Sequence, residues 1–344
     1  MTISHHSHSG QFCLHAKGTL EEVVQEAIRQ GFTTFGLSEH VPRYRTRDLY
    51  PEEQEAGVDR LQDAFEAYMV EAHRLKRMYS DKITLLVGLE TESITSESLD
   101  RLQELLERHG ERIEYVVGSV HHCRQRPIDF DKQSYDALLQ ELQSEAAESL
   151  QPLLSSTSQL LDTDTIRQQA FASLFCQYFD DQFDMMHKIR PEVVGHFDLC
   201  RLYYPDVSFA QFDKVWEKIE RNVRFAVSYG ALFEVNAAAF RKGWNAAYPG
   251  IEVLDLILKL GGRLTLSDDS HGPDAVGLNY DRAYEYLRNR GVKELWYLAE
   301  ANSKDGQGRS RGVVSCRVQG EPWLDKWPEL FRRSRAYEKP GEHP

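Results

Sequence analysis

An α/β barrel is the fold this sequence predicts, and three observations predict it. Short runs rich in β-branched and aromatic residues alternate with amphipathic stretches of ten or more residues, the pattern of parallel βαβ units. The alternation recurs more often than a small open sheet needs, which favours closure into a barrel. One strand after another also stops on a histidine, glutamate or aspartate, as expected where the strand ends share one functional face.

The elements follow in order. The chain opens SHHSHSG, and Ser7 splits the histidines so that His6 and His8 form a His-x-His pair with His5 as the spare. TLEEVVQEAIRQG reads as a helix with Thr19 as N-cap, Glu22 completing a capping box and Gly31 as the stop. FTTFGLSEH is a strand, a long amphipathic stretch covers about 54–79, and ITLLVGLETE is the next strand. A helix over about 97–109 closes at Gly110, and IEYVVGSVHH follows as a strand. PEVVGHFDL, ALFEVNAA and GRLTLSDDS are further strands, separated by the helical stretches FAQFDKVWEKIERNVRFAVSYG and IEVLDLILKLGG. From about 131 to 190 the chain turns Gln/Ser/Asp-rich, with QPLLSSTSQLLDTDT read as a polar loop between helices; the stretch is an insertion within one barrel domain over 1–320. Residues 321–344 form a tail expected to pack a short helix on the barrel.

Composition narrows the function. At 41% hydrophobic and 28% charged residues, the 344-residue chain is a globular protein. It has no apolar run of membrane-spanning length, and its first residues lack the basic and apolar segments of a signal peptide, so a cytoplasmic location is expected. The formal net charge of −13 argues against a nucleic-acid binder. The same acidity suits phosphate chemistry only if carboxylates and histidines hold divalent cations. Cys13, Cys123, Cys176, Cys200 and Cys316 never stand as CxxC and are read as reduced bystanders.

Strand ends supply the donors: His6 and His8, His40, Glu90, His121, His196, then Asp269 and His271. Side chains two apart on a strand share a face, so His6/His8 and Asp269/His271 each offer two donors, while His122 and Asp268 point away. Nitrogen and carboxylate donors without thiolate suit Zn, Mn or Fe, and the set exceeds the needs of one ion. His73, His109 and His187 sit in polar helical contexts and His343 in the tail, and all four are read as surface residues.

HSHS, His15, SEH, GLETE, GSVHH, GHFDL and SDDSH, in that order, resemble the polymerase-and-histidinol-phosphatase (PHP) superfamily, most closely its histidinol-phosphatase branch. The match runs from residue 3 to about 280. The resemblance implies a distorted (β/α)7 barrel with three metal ions. It places His6, His8, Glu90 and Asp269 on one, Glu90, His121 and His196 on a second, and His15, His40 and His271 on the third. His15, in the loop FCLHAKG, is a ligand that strand position alone does not assign. EHVPRYRTRDLYPEE and EVNAAAFRKGWNAAYP look like the branch's substrate loops, which makes Arg201, Arg241 and Lys242 candidates to clamp phosphate.

The implied chemistry is hydrolysis of a small phosphate monoester, L-histidinol phosphate, by a metal-bound hydroxide, with Arg201 or Arg241 on the phosphate. Asp269 or a metal-bound water is the candidate to protonate the leaving alkoxide. Glu39, Glu92 and Asp268 either hold the substrate's cationic end or orient ligand histidines. Two rivals are a PHP phosphoesterase acting on nucleotides or nucleic-acid ends, and a metal-filled barrel without catalysis.

Overall fold

The computed structural model describes residues 1–154, 162–301 and 311–318. Seven strands form one parallel sheet in chain order: β1 (Thr2–Ser4), β2 (Phe32–Leu37), β3 (Thr84–Glu90), β4 (Tyr115–Gly118), β5 (Val193–Val194), β6 (Leu232–Asn236) and β7 (Arg263–Ser267). Closure between the first and last strands is local. The Ser4 hydroxyl donates to Asp268 Oδ1 at 2.7 Å, and Ser7–His8 pairs in parallel with Ser270–His271 at the C-terminal mouth. The predicted distorted barrel is therefore the observed one.

Helices cover the outside: α1 (Leu20–Arg29), α2 (Gly57–Met78), α3 (Ser96–His109), α4 (Lys132–Leu154), α5 (Thr163–Ile189), α6 (Asp213–Ser228), α7 (Ala238–Arg241), α8 (Ile251–Lys259) and α9 (Tyr280–Asn289). The predicted capping box of α1 is present, with the Glu22 amide donating to Thr19 Oγ1 at 3.2 Å and the Thr19 amide donating to Glu22 Oε2 at 2.7 Å. α3 gives way at Gly110, whose φ of 55° a side chain would resist. Among the described residues no helix is long and apolar enough to cross a membrane.

Period-2 alternation builds two cores. On β3, Leu85, Val87 and Leu89 face the helix layer, while Leu86 joins Tyr115, Val117, Val193 and Leu232 inside the barrel. Further up the same inward rows stand Glu90, two inward positions above Leu86 on β3, and Glu234, one above Leu232 on β6, so the interior passes from apolar floor to ionisable mouth. Tyr115 is the divider. A Cβ on Gly36 would lie 2.2 Å from its hydroxyl, and one on Gly88 2.4 Å from its ring, so these two glycines make room for it.

Two regions differ from expectation. The polar loop shrinks, because Gln151–Leu154 end α4 and Thr163 begins α5; 155–161 lie outside the described residues. Both helices pack onto the barrel: the Phe179 ring lies 5.7 Å from Phe197, and the Tyr135 hydroxyl donates to Cys200 O at 2.6 Å. The second difference is an antiparallel hairpin, β8 (Trp296–Glu300) with β9 (Val313–Arg317), which sequence reading did not separate from the barrel. Its Leu298 and Val313 complete the apolar floor. The expected tail helix lies outside the described residues.

Candidate metal centre

Glu90, at the end of β3 and 1% exposed, is the hub. Its Oε1 lies 3.0 Å from His6 Nε2, 3.2 Å from His121 Nε2 and 3.1 Å from His196 Nε2. Its Oε2 lies 3.3 Å from His8 Nε2 and 3.1 Å from His40 Nδ1. Asp269 Oδ1 stands 3.7 Å from Nε2 of both His6 and His8, and 3.5 Å from His271 Nδ1. His6, His8 and Glu90 form one donor group, Glu90, His121 and His196 another, and His15, His40 and His271 a third that also contains Cys13. All nine residues expected as ligands thus converge at the mouth.

Electrostatics favour cations here. Burial works against the Glu90 charge, yet facing His6, His121 and His40 hold its carboxyl well below the usual range. Asp269 is likewise held low, burial being overcome by His6 and His271. Several ring nitrogens, including His6 Nε2, His8 Nε2 and His40 Nε2, are buried without a hydrogen-bond partner. Such orphaned nitrogens are costly to bury unless an ion meets them, so the donor set fits divalent metal.

A second layer fixes the rings, and Glu234 is the residue sequence reading missed. Its Oε2 lies 2.9 Å from His6 Nδ1, while Oε1 accepts from the His196 amide at 2.7 Å. A lone charge inside the apolar run LFEVN was the available signal. Glu39 accepts from the Ser9 amide at 2.8 Å and lies 3.5 Å from His8 Nδ1; Glu92 lies 2.9 Å from His40 Nδ1 and accepts from Arg43 at 3.1 Å. Asp268 faces away and accepts from the Gly277 amide at 2.6 Å. Of the two roles open to them, Glu39 and Glu92 thus take that of orienting histidines, while Asp268 bonds Ser4 and Gly277 and touches neither a donor histidine nor the cavity.

Asp269 reaches the site by a different route from the one expected. Its φ of 47° breaks the strand, so a left-handed residue, not uninterrupted pleat parity, turns Asp269 and His271 inward. Three further readings are corrected. His5 is no spare: it is fully buried, and its Nε2 accepts from the Leu298 amide at 3.0 Å, tying the hairpin to the barrel. His109, expected at the surface, is 6% exposed and 3.1 Å from Glu66. Arg201 does not line the cavity; its guanidinium is 4% exposed, bonded to Asp198 at 2.7 Å and to Glu252, and lies 4.2 Å over the Phe209 ring. Buried between two carboxylates and absent from the cavity wall, it is not placed to meet a phosphate there.

The cavity above the donors measures about 320 Å³, small-molecule scale. The loop after β2 brings Tyr50 and Glu52 to its wall, the residues just before the insertion bring Asp129 and Phe130, and the segment after β6 brings Arg241 and Lys242. Both predicted substrate loops thus reach it. Arg241 donates to Asp269 O at 3.0 Å, which aims it at the donors.

A parallel barrel with clustered histidines at its mouth defines the class: the chain belongs to the PHP domain family, whose model matches residues 4–238. It is 44% identical over 311 residues to a Schizosaccharomyces pombe protein named probable histidinol-phosphatase, covering 90% of this chain and 92% of that one. It is 30% identical over 336 residues to the histidinol-phosphatase of Saccharomyces cerevisiae, covering 88% and 93%. The fold is shared with a Lactococcus lactis crystal structure described as histidinol phosphate phosphatase complexed with zinc, L-histidinol and phosphate. That likeness has a TM-score of 0.57 at 20% identity, over 86% of this chain and 95% of that one.

Proposed function

We propose that the protein is a metal-dependent phosphomonoesterase that hydrolyses L-histidinol phosphate to L-histidinol and phosphate, a reaction of histidine biosynthesis carried out in the cytosol. The observation that carries this is the meeting of the histidine and carboxylate donor groups with Arg241 and Lys242, two cations that pair with no carboxylate among the described residues, around one small cavity.

His6, His8, Glu90 and Asp269 hold one divalent ion, Glu90, His121 and His196 a second, and His15, His40 and His271 a third. Zinc, manganese or iron bound there supplies charge neutralisation for the phosphoryl group and activation of water. Arg241 and Lys242, both on the cavity wall, take non-bridging phosphate oxygens. Asp269 serves as a ligand and not as the proton donor, because its carboxyl is held ionised. With Asp269 ionised, the leaving alkoxide takes its proton from a water in the cavity. On the far wall, Glu52 and Asp129 match the substrate's ammonium group, and Phe130, 39% exposed and stacked on Tyr50 at 5.4 Å, offers a face to the imidazole.

The test is phosphate release from L-histidinol phosphate before and after chelation, beside a nucleoside monophosphate at equal concentration. The expected result is release that prefers histidinol phosphate, stops on chelation and returns with metal. Preference for the nucleotide, or release that ignores chelation, overturns the reading.

A further inference from the structure

The five overlapping donor groups among the described residues differ in chemistry. Four contain only imidazole nitrogen and carboxylate oxygen, whereas one pairs the Cys13 sulfur with His15, His40 and His271. We propose that Cys13 is a metal ligand, which makes this subsite a sulfur-containing one selective for a thiophilic ion such as zinc. The proposal rests on the metal-centre reading above and adds a donor to it.

Three observations support it. Cys13 is 6% exposed, and its Sγ lies 3.2 Å from His15 Nε2; one donor atom from each of the four residues lies within 4.8 Å of the others. The loop carrying Cys13 is tied down where the donors are: the Cys13 amide donates to Ser9 O at 2.9 Å, the Ala16 amide to Cys13 O at 3.1 Å, and the Lys17 amide to His271 O at 3.0 Å. His40 Nε2 is buried there without a hydrogen-bond partner, an orphan that an ion shared with the thiol would satisfy. Among the described residues Cys13 is the one cysteine that belongs to such a donor group; Cys123, by contrast, points its sulfur at Leu174 O, 3.8 Å away.

Four donors, one of them sulfur, are the complement of a tetrahedral zinc site. Metal–sulfur bond formation releases the thiol proton to solvent, so no oxidant or reductant is involved. The softer subsite then favours zinc, while the nitrogen and carboxylate subsites also accept harder ions such as manganese.

Cobalt(II) provides the test, because a thiolate ligand gives it an intense near-ultraviolet charge-transfer absorption that nitrogen and oxygen ligands do not. Metal-free full-length protein is titrated with cobalt(II) and followed by absorption and by bound-metal analysis, beside Cys13→Ser and Cys13→Ala, with far-ultraviolet circular dichroism to confirm folding. The expected result is a charge-transfer band that saturates at one equivalent per chain and is lost in both variants, while the remaining cobalt still binds. Cobalt binding with ligand-field bands but no charge-transfer band in the wild type overturns the proposal and leaves the metal centre standing. A band that survives in either folded variant also overturns it. Absence of any cobalt binding overturns the metal centre together with the proposal.

Discussion

Replacing Glu234 by glutamine should weaken metal binding without changing the shape of the barrel. The carboxylate meets three groups: Oε1 accepts from the His196 amide at 2.7 Å and from Asn236 Nδ2 at 2.8 Å, and Oε2 lies 2.9 Å from His6 Nδ1. Glutamine has one acceptor oxygen and one amide donor group. With two donors converging on the Oε1 position, its oxygen stays there and its amide group turns toward His6 Nδ1. His6 then accepts at Nδ1 and carries its proton on Nε2, the atom 3.0 Å from Glu90 Oε1 that must present a lone pair to an ion. Loss of such an orienting partner costs about 10–100-fold in metal affinity, or ~1.4 to 2.7 kcal/mol. Competition against a chelator reads the affinity, and kcat/KM for L-histidinol phosphate should fall in parallel and recover with excess metal. A folded Glu234→Gln protein whose metal affinity stays within twofold of wild type would refute the tautomer argument.

Three other outcomes follow from buried charges. Burial holds His5 neutral down to about 3 against an ordinary 6.5, with Glu234 opposing; because the folded value is depressed, the stability it contributes is present above pH 6.5 and lost as pH falls. By pH 5 the unfolded chain gains about 2 kcal/mol from the proton the folded chain refuses, so His5→Gln should lose less melting temperature between pH 7 and pH 5 than wild type; equal losses count against it. Burial, aided by Asp184 and Asp180 and opposed by Gln177, raises Asp181 to about 6, so its ionisation penalises the fold above that pH and vanishes below pH 4. Asp181→Asn should therefore stabilise the protein at pH 7.5 by ~1 kcal/mol after discounting for solvent screening and change nothing at pH 4, as read by thermal melts at both. Arg241→Ala should raise KM with little loss of stability, whereas Arg201→Met should leave KM unchanged and cost about 3–5 kcal/mol by stranding Asp198. The reverse pattern in kinetics and denaturant melts would return Arg201 to the phosphate.

The barrel was legible because its signals are local. Capping at Thr19, the stop at Gly110 and the inward–outward alternation of TLLVGLE each act within a few residues. The hairpin was not legible, because Trp296–Glu300 finds its partner strand at Val313–Arg317, and neither run announces the other. The long polar loop was over-read for a related reason. Ser, Thr and Asp lower local helix propensity, yet α5 is held by Phe175 and Phe179 against Phe209, at 4.9 and 5.3 Å, and packing outweighs propensity.

The site divides along the same line. A histidine at a strand end reveals its address by position, so His40, Glu90, His121 and His196 could be read directly, but the partner that saturates a side chain cannot be. Arg201 looked free until Asp198 and Glu252 claimed it, and His5 looked spare until the Leu298 amide did. Those partners also explain how an acidic chain can receive a phosphate. Glu39, Glu52, Glu90, Glu92, Glu234 and Asp269 each lie within 3.5 Å of a donor histidine, and among the described residues the guanidinium bonded to this set is that of Arg43, itself shared with Glu53. Six carboxylates against one guanidinium leave five formal negative charges around the cavity. Two divalent ions leave that field at minus one; a third takes it to plus one, or to zero with Cys13 bound as thiolate, so that Arg241 and Lys242 then face no net negative charge. On this count a phosphate is attracted only once the third subsite is filled, so affinity for inorganic phosphate should appear with the third equivalent of metal. Full phosphate affinity at one or two equivalents would show that Arg241 and Lys242 suffice without it.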